Sequence, residues 1–192
     1  MASERQLDPE SLGDHIDRLY RAAWGMCGSR TLAEDLVQET FLRVLRKPRI
    51  LRSEDDIGYL LRVLRNTFIS TRRTASRRPQ ETPMPDTFDL EDTSAPQPEA
   101  RIESQELYAT IAALPDDFRD ALVAIDVVGL SYREAARALR VREATVTTRL
   151  HRARQRVARA LTESDLAASG PAGGGPGGGG ETGELASGDP SS

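Results

Sequence analysis

Thr145, Thr148, Arg149, Arg152 and Arg156 recur at three- and four-residue spacing, with His151 beside them. On a helix that spacing gathers them on one side. An arginine can fork two donors onto a guanine edge or a phosphate, and a threonine offers both a hydroxyl and a methyl group. Arg142, just before such a helix, sits where free backbone N–H groups favour an anion. The chemistry this set can do is the recognition of nucleic acid. Bond breaking is a poor match: the two histidines, His15 and His151, lie in different blocks without nearby catalytic partners or further metal ligands. No catalytic residues, metal ligands or cofactor are therefore expected, and the chain does not read as an enzyme.

The elements around these residues form a recognisable unit. Ser131 with Glu134 three residues on is a capping-box pattern that opens a short helix. Ala135 and Ala136 are small enough for a second helix to cross closely, and Leu139 and Val141 can plug the corner. Val146, Leu150, Val157 and Leu161 then carry an apolar stripe along a longer helix from Glu143. Short helix, tight turn, long basic helix is the layout of a helix-turn-helix. An αα-hairpin with a solvated arginine face would share the spacing but has no need of the corner.

Upstream, three helical segments form a first block. Leu12, Ile16, Leu19, Tyr20, Ala23 and Trp24 line the first, which ends near Gly28. Thr31 and Glu34 form a capping-box pattern for the second, whose apolar face is expected to run through Leu32, Leu36, Val37, Thr40, Phe41, Val44 and Leu45 until Pro48 breaks it. The third opens at Glu54-Asp55-Asp56 and ends on Arg72, Arg73, Arg77 and Arg78, an acid-to-base order that suits the helix dipole. Helical pattern resumes near Arg101, and Pro115 restarts it toward Gly129.

The 192-residue chain carries a formal charge of −4, yet its charges are segregated. Basic residues dominate from Arg43 to Arg78 and from Arg133 to Arg159, whereas Arg101 is the only base between Gln80 and Glu106. Two basic blocks joined by an acidic connector suit a protein that meets a polyanion at two places. A single cysteine, Cys27, excludes an internal disulfide and reads as a small core residue. No secretory signal or membrane-length apolar run is evident, so a cytoplasmic protein without membrane insertion is expected. The glycine-rich tail cannot bury a core.

Ala33-Glu34-Asp35-Leu36-Val37-Gln38-Glu39-Thr40-Phe41-Leu42-Arg43 resembles the second conserved region of extracytoplasmic-function (ECF) RNA polymerase sigma factors, and Tyr59-Leu60-Leu61-Arg62-Val63-Leu64-Arg65-Asn66-Thr67-Phe68 resembles their next helix. Ala113-Leu114-Pro115-Asp116-Asp117-Phe118-Arg119, the Leu130–Ala136 stretch and Thr145–Arg154 resemble their fourth region. The resemblance implies an all-α protein with a region 2 helical bundle over 10–78 and a region 4 helix-turn-helix over 101–163, while composition makes 79–100 a flexible acidic linker and 164–192 a disordered tail. The resemblance also implies docking of Asp35, Gln38, Glu39 and Phe41 on core RNA polymerase. It further implies −10 recognition and promoter melting by Lys47, Arg49, Arg65, Asn66, Arg72 and Arg73. Recognition of the −35 element falls to Thr147, Thr148, His151 and Arg152, beside Arg149 from the spacing and Arg142 from its place at the helix start. Core polymerase, promoter DNA and an anti-sigma factor are the expected partners.

The sequence departs from the family pattern at four places. Arg140 occupies a turn position often glycine, Tyr59 stands for tryptophan, Ser70 for aspartate, and Thr147-Thr148 for the usual basic residue and serine. The competing reading is a stand-alone helix-turn-helix regulator acting as a dimer, which explains the second block but not the first.

Overall fold

The computed structural model describes residues 5–6, 10–46, 50–51, 56–76 and 98–168. Seven α-helices dominate the described residues: α1 Ile16–Cys27, α2 Arg30–Arg46, α3 Asp56–Ala75, α4 Pro98–Ala112, α5 Asp116–Leu122, α6 Tyr132–Leu139 and α7 Glu143–Ala168. A 3-10 turn over Glu10–His15 leads into α1, and a π-helical stretch over Val123–Val127 continues α5. Two residue pairs, β1 Arg5–Gln6 and β2 Ile50–Leu51, form a minimal antiparallel bridge. The connector from 77 to 97 and the tail from 169 lie outside the described residues, as do Lys47 and Arg49.

Local chemistry sets the helix ends. Gly28 closes α1 in the left-handed conformation, φ 76° and ψ −2°, with its N–H on the Trp24 carbonyl. The cap of α2 differs from the sequence expectation. Ser29, not Thr31, receives the Leu32 N–H on its hydroxyl at 3.4 Å, so Thr31 lies inside the first turn. Pro115 precedes α5 and frees the chain to begin a new helix at Asp116.

Leu19, Leu60, Leu61 and Leu64 fill the α1–α2–α3 bundle, and Val123, Val146, Leu150 and Ala153 fill the second block. Each fully buried leucine contributes about 1.5–3 kcal/mol of hydrophobic stabilisation. The apolar face expected for α2 is narrower than its spacing implied: Leu36, Val37, Thr40 and Val44 are buried, but Leu32 and Leu45 stand about half exposed, at 54% and 49%. The helix therefore turns leucines as well as acids outward.

The two blocks share one continuous core instead of standing apart. Trp24 of α1 stacks on Tyr108 of α4 with ring centroids 4.1 Å apart. Gly25 lies so close to the second block that an added Cβ would meet Val123 at 3.2 Å and Ile111 at 3.6 Å. Arg18 donates twice to the Val128 carbonyl at the end of the π stretch, and Arg62 donates to the Arg137 and Ala138 carbonyls at the end of α6. Arginines of the first block thus cap two helix ends of the second. The last helix runs to Ala168, so residues 164–168, expected to belong to an unfolded tail, complete its final turns. There the Ser164 hydroxyl bonds Glu106 of α4.

Candidate nucleic-acid interface

The helix-turn-helix forms as its sequence pattern requires. Ser131 is the N-cap of α6, and its hydroxyl accepts the Glu134 N–H at 3.3 Å. The Glu134 carboxylate in turn accepts from the Ser131 N–H at 2.8 Å and from its hydroxyl at 2.6 Å. Those hydrogen bonds from Ser131 hold the Glu134 carboxyl below its ordinary range. Arg140 ends α6 at φ 59° and ψ 44°, the one non-glycine residue with positive φ among the described residues. The left-handed corner that favours glycine is therefore made here by an arginine. Its N–H and that of Val141 both return to the Ala136 carbonyl, which closes the turn.

Helix α7 leaves this corner with Val146, Leu150 and Ala153 in the core and Thr147, Thr148, His151 and Arg152 exposed. Thr147 and Thr148 return their hydroxyl protons to the Glu143 and Ala144 carbonyls, so each presents its methyl and an oxygen acceptor outward. The His151 ring lies 3.1 Å from the Gln155 amide. Arg142 is exposed at the start of the helix. This surface is open to a large ligand.

Arg149 and Arg156 sit differently from what spacing suggested. Both lie on the flank of α7 against α5: Arg149 donates to Asp117 at 2.7 Å, and the Arg156 guanidinium covers the Phe118 ring at 4.7 Å. Arg154 forks onto Asp126 at 2.6 and 2.9 Å, and that pairing raises its already high pKa. Sequence reasoning missed Arg154 because its carboxylate partner lies 28 residues upstream.

On α3, Asn66 and Arg73 are exposed, whereas Arg65 and Arg72 have partners. Arg65 hydrogen-bonds Asp120 in a largely buried pair, and Arg72 reaches Asp116 at 2.9 Å. Asp116 also receives Arg119 at 2.7 Å, and both guanidiniums lie over the Phe68 ring. Burial alone would raise the Asp116 carboxyl, but the charge of Arg119 and the hydrogen bonds from Arg72 and Arg119 outweigh it and hold it below its usual value. At Asp120 burial wins, and its carboxyl lies above the ordinary range despite Arg65 and Arg119. That ion pair gains little net stability, because desolvation offsets most of its attraction.

The third candidate surface is α2. Asp35 and Gln38 are exposed, Glu39 and Phe41 partly so, and Glu39 pairs with Arg43 at 2.7 Å. Asp35 and Glu39 line an apolar groove of about 380 Å³ together with the buried Leu36, Thr67 and Phe68. Cys27 faces the same groove; its thiol donates to the Ser29 carbonyl at 3.2 Å, and burial pushes its pKa up, which makes it a poor nucleophile. Among the described residues, no cluster of three or more potential metal ligands occurs, and no helix is long and apolar enough to cross a membrane.

Two family models match the chain: sigma-70 region 2 over residues 12–78 and sigma-70 region 4 over residues 104–157. The ECF RNA polymerase sigma factor SigE of Mycolicibacterium smegmatis is 36% identical over 152 residues, covering 77% of this chain and 59% of its own length. EcfG of Rhodopseudomonas palustris and SigM of Bacillus subtilis, both ECF sigma factors, are each 31% identical. The matches cover 76% and 74% of this chain, and 80% and 88% of those relatives. The chain thus spans about three fifths of SigE and most of the other two. In fold it is similar to the sigma factor RpoE of Bartonella quintana, solved with the anti-sigma factor NepR, at TM-score 0.61, 24% identity and coverage of 80% of this chain and 95% of that one. CnrH, solved with the cytosolic domain of CnrY, gives TM-score 0.60 at 24% identity, covering 81% and 87%.

Proposed function

The chain belongs to the ECF RNA polymerase sigma factors, and from that membership we propose that it binds core RNA polymerase and directs initiation at a restricted set of promoters. The family consists of DNA-binding initiation factors, not enzymes. Transcription takes place where the chromosome lies, so the protein acts in the cytoplasm.

The labour divides by surface. Helix α2 offers Asp35, Gln38, Glu39 and Phe41 to the polymerase, with the half-exposed Leu32 and Leu42 adding apolar area around the acids. Asn66, Arg65, Arg72 and Arg73 of α3, with Lys47 and Arg49, engage the −10 element. Unstacking a base there costs a few kcal/mol, which contacts to the displaced strand can offset. Arg142, Thr147, Thr148, His151 and Arg152 meet the −35 element in the major groove, and Arg149 does so once released from Asp117. An anti-sigma factor is a further partner, by analogy with the complex of the similar sigma factor RpoE with the anti-sigma factor NepR.

The observation that carries this reading is the pairing of an open, basic α7 face with an acid-edged, leucine-bearing α2 in one chain. A dimeric regulator has no use for the second surface. Run-off transcription with purified core polymerase on genomic fragments tests it. Defined start sites that depend on added protein are expected. Tight operator binding without polymerase, and no start sites with it, would favour the dimeric regulator.

A further inference from the structure

Charge and apolar groups are sorted around the circumference of α7. Arg149, Arg154 and Arg156 are drawn to its flanks, where Asp117, Asp126 and the Phe118 ring hold them. Between the exposed Arg142 and Arg152 stand Thr147 and Thr148, both exposed. Each threonine hydroxyl donates to the carbonyl one turn back, that of Glu143 or Ala144, at 3.0 Å. That bond selects one rotamer of a side chain already stiff at χ1. A hydroxyl has a single proton, and here the helix takes it. Donation to the acceptors of a base edge, guanine N7 and O6 above all, would forfeit the helical bond. The group left to face a ligand is a methyl beside an oxygen lone pair. In the major groove thymine is the base that presents a methyl of its own.

We propose that Thr147 and Thr148 are specificity-determining residues that read the 5-methyl group of thymine, so that the −35 positions they face are A·T pairs selected by apolar contact. The inference rests on the sigma-factor reading for the docking of α7 in the major groove, and adds the base class that this part of the helix selects. Arg142 and Arg152 bracket the pair with positive charge, and the threonines supply the discrimination. A G·C pair at the same positions offers no methyl to bury.

The test removes methyl groups from DNA and protein in turn. A promoter mapped by run-off transcription with core polymerase is rebuilt with deoxyuridine for thymine, one −35 position at a time on both strands. Deoxyuridine keeps every hydrogen-bonding group of thymine and lacks only the methyl. Holoenzyme affinity for each duplex is measured by competition with the unsubstituted promoter. A methyl withdrawn from water contributes about fourfold in affinity, so deoxyuridine at a contacted position should weaken binding by about that factor. Deoxyuridine in the spacer between the two elements should have no effect. Thr147→Ser/Thr148→Ser keeps both hydroxyls and deletes both methyls, and should bind the thymine and deoxyuridine promoters alike. Thr147→Val/Thr148→Val deletes the hydroxyls and keeps methyls, and should still prefer thymine.

Deoxyuridine tolerated at every −35 position, or a −35 element without A·T pairs, overturns the proposal. So does a thymine preference that survives undiminished in the serine variant, which would trace it to duplex shape. A preference that vanishes in the valine variant would assign the readout to the hydroxyls and overturn it equally. Absence of start sites on unsubstituted DNA would fail the sigma-factor reading, and the proposal with it, before any deoxyuridine is introduced.

Discussion

Replacing Arg140 with glycine should stabilise the protein, although it deletes a charged side chain from a basic surface. Arg140 is held at φ 59° and ψ 44°, where Cβ crowds the following carbonyl. A non-glycine residue there costs about 1–2 kcal/mol. Glycine removes that strain but loosens the unfolded chain, which returns about 0.4–1 kcal/mol. The net gain is about 0.5–1 kcal/mol, and for a chain of this size each kcal/mol raises Tm by about 2–4 °C. Thermal unfolding followed by far-ultraviolet circular dichroism should therefore show Arg140→Gly melting about 1–4 °C above wild type. Arg140→Ala is the control, since it loses the same exposed side chain but keeps Cβ and the strain, so it should not gain. Equal melting of the two variants would mean that the corner is not strained or not left-handed, and the reasoning fails.

Arg152→Ala should weaken −35 recognition by about 1–3 kcal/mol if the guanidinium reads a base edge; unchanged promoter choice and affinity in holoenzyme footprinting would remove it from the readout. Gln38→Ala with Glu39→Ala should lower retention of the protein on immobilised core polymerase, and wild-type retention would refute the docking role of α2. Gly28→Ala should lower Tm, because its φ of 76° costs about 1–2 kcal/mol and the new Cβ would lie 3.1 Å from that of Ala112; an unchanged Tm contradicts both terms. Glu134 has a depressed folded pKa, so its stabilising effect is present above the ordinary carboxylate range and lost as pH falls through the lower folded value. The Tm difference between wild type and Glu134→Gln should accordingly shrink on acidification, and a difference that grows would invert the assignment.

The helix-turn-helix was legible because its determinants are local. Ser131 and Glu134 are three residues apart, and Leu139, Val141 and Val146 punctuate a short stretch of chain. The same capping pattern misled at Thr31 and Glu34, since Ser29 lies close by with a competing hydroxyl, and the cap went to it. Periodicity likewise placed Leu32 and Leu45 inward, although spacing alone cannot distinguish a core stripe from a surface that awaits a partner. Arg149 shares the spacing of Arg152, but a neighbouring helix decides which of them faces solvent. The junction of the two blocks left no periodic trace: Arg18 meets Val128 across 110 residues and Arg62 meets Ala138 across 76. Such contacts depend on tertiary shape and on no repeat in the sequence. The −10 candidates Lys47 and Arg49 lie outside the described residues.

Charge and apolar contacts play different parts at that junction. The Trp24–Tyr108 stack and the Gly25 contact bury area without regard to salt, so they set how readily the blocks separate. The α5 carboxylates that reach across to α3 add little to cohesion, because Asp120 is penalised by burial and Asp116 is largely exposed. The apolar packing around Trp24 and Gly25, and not the ion pairs, therefore holds the junction together.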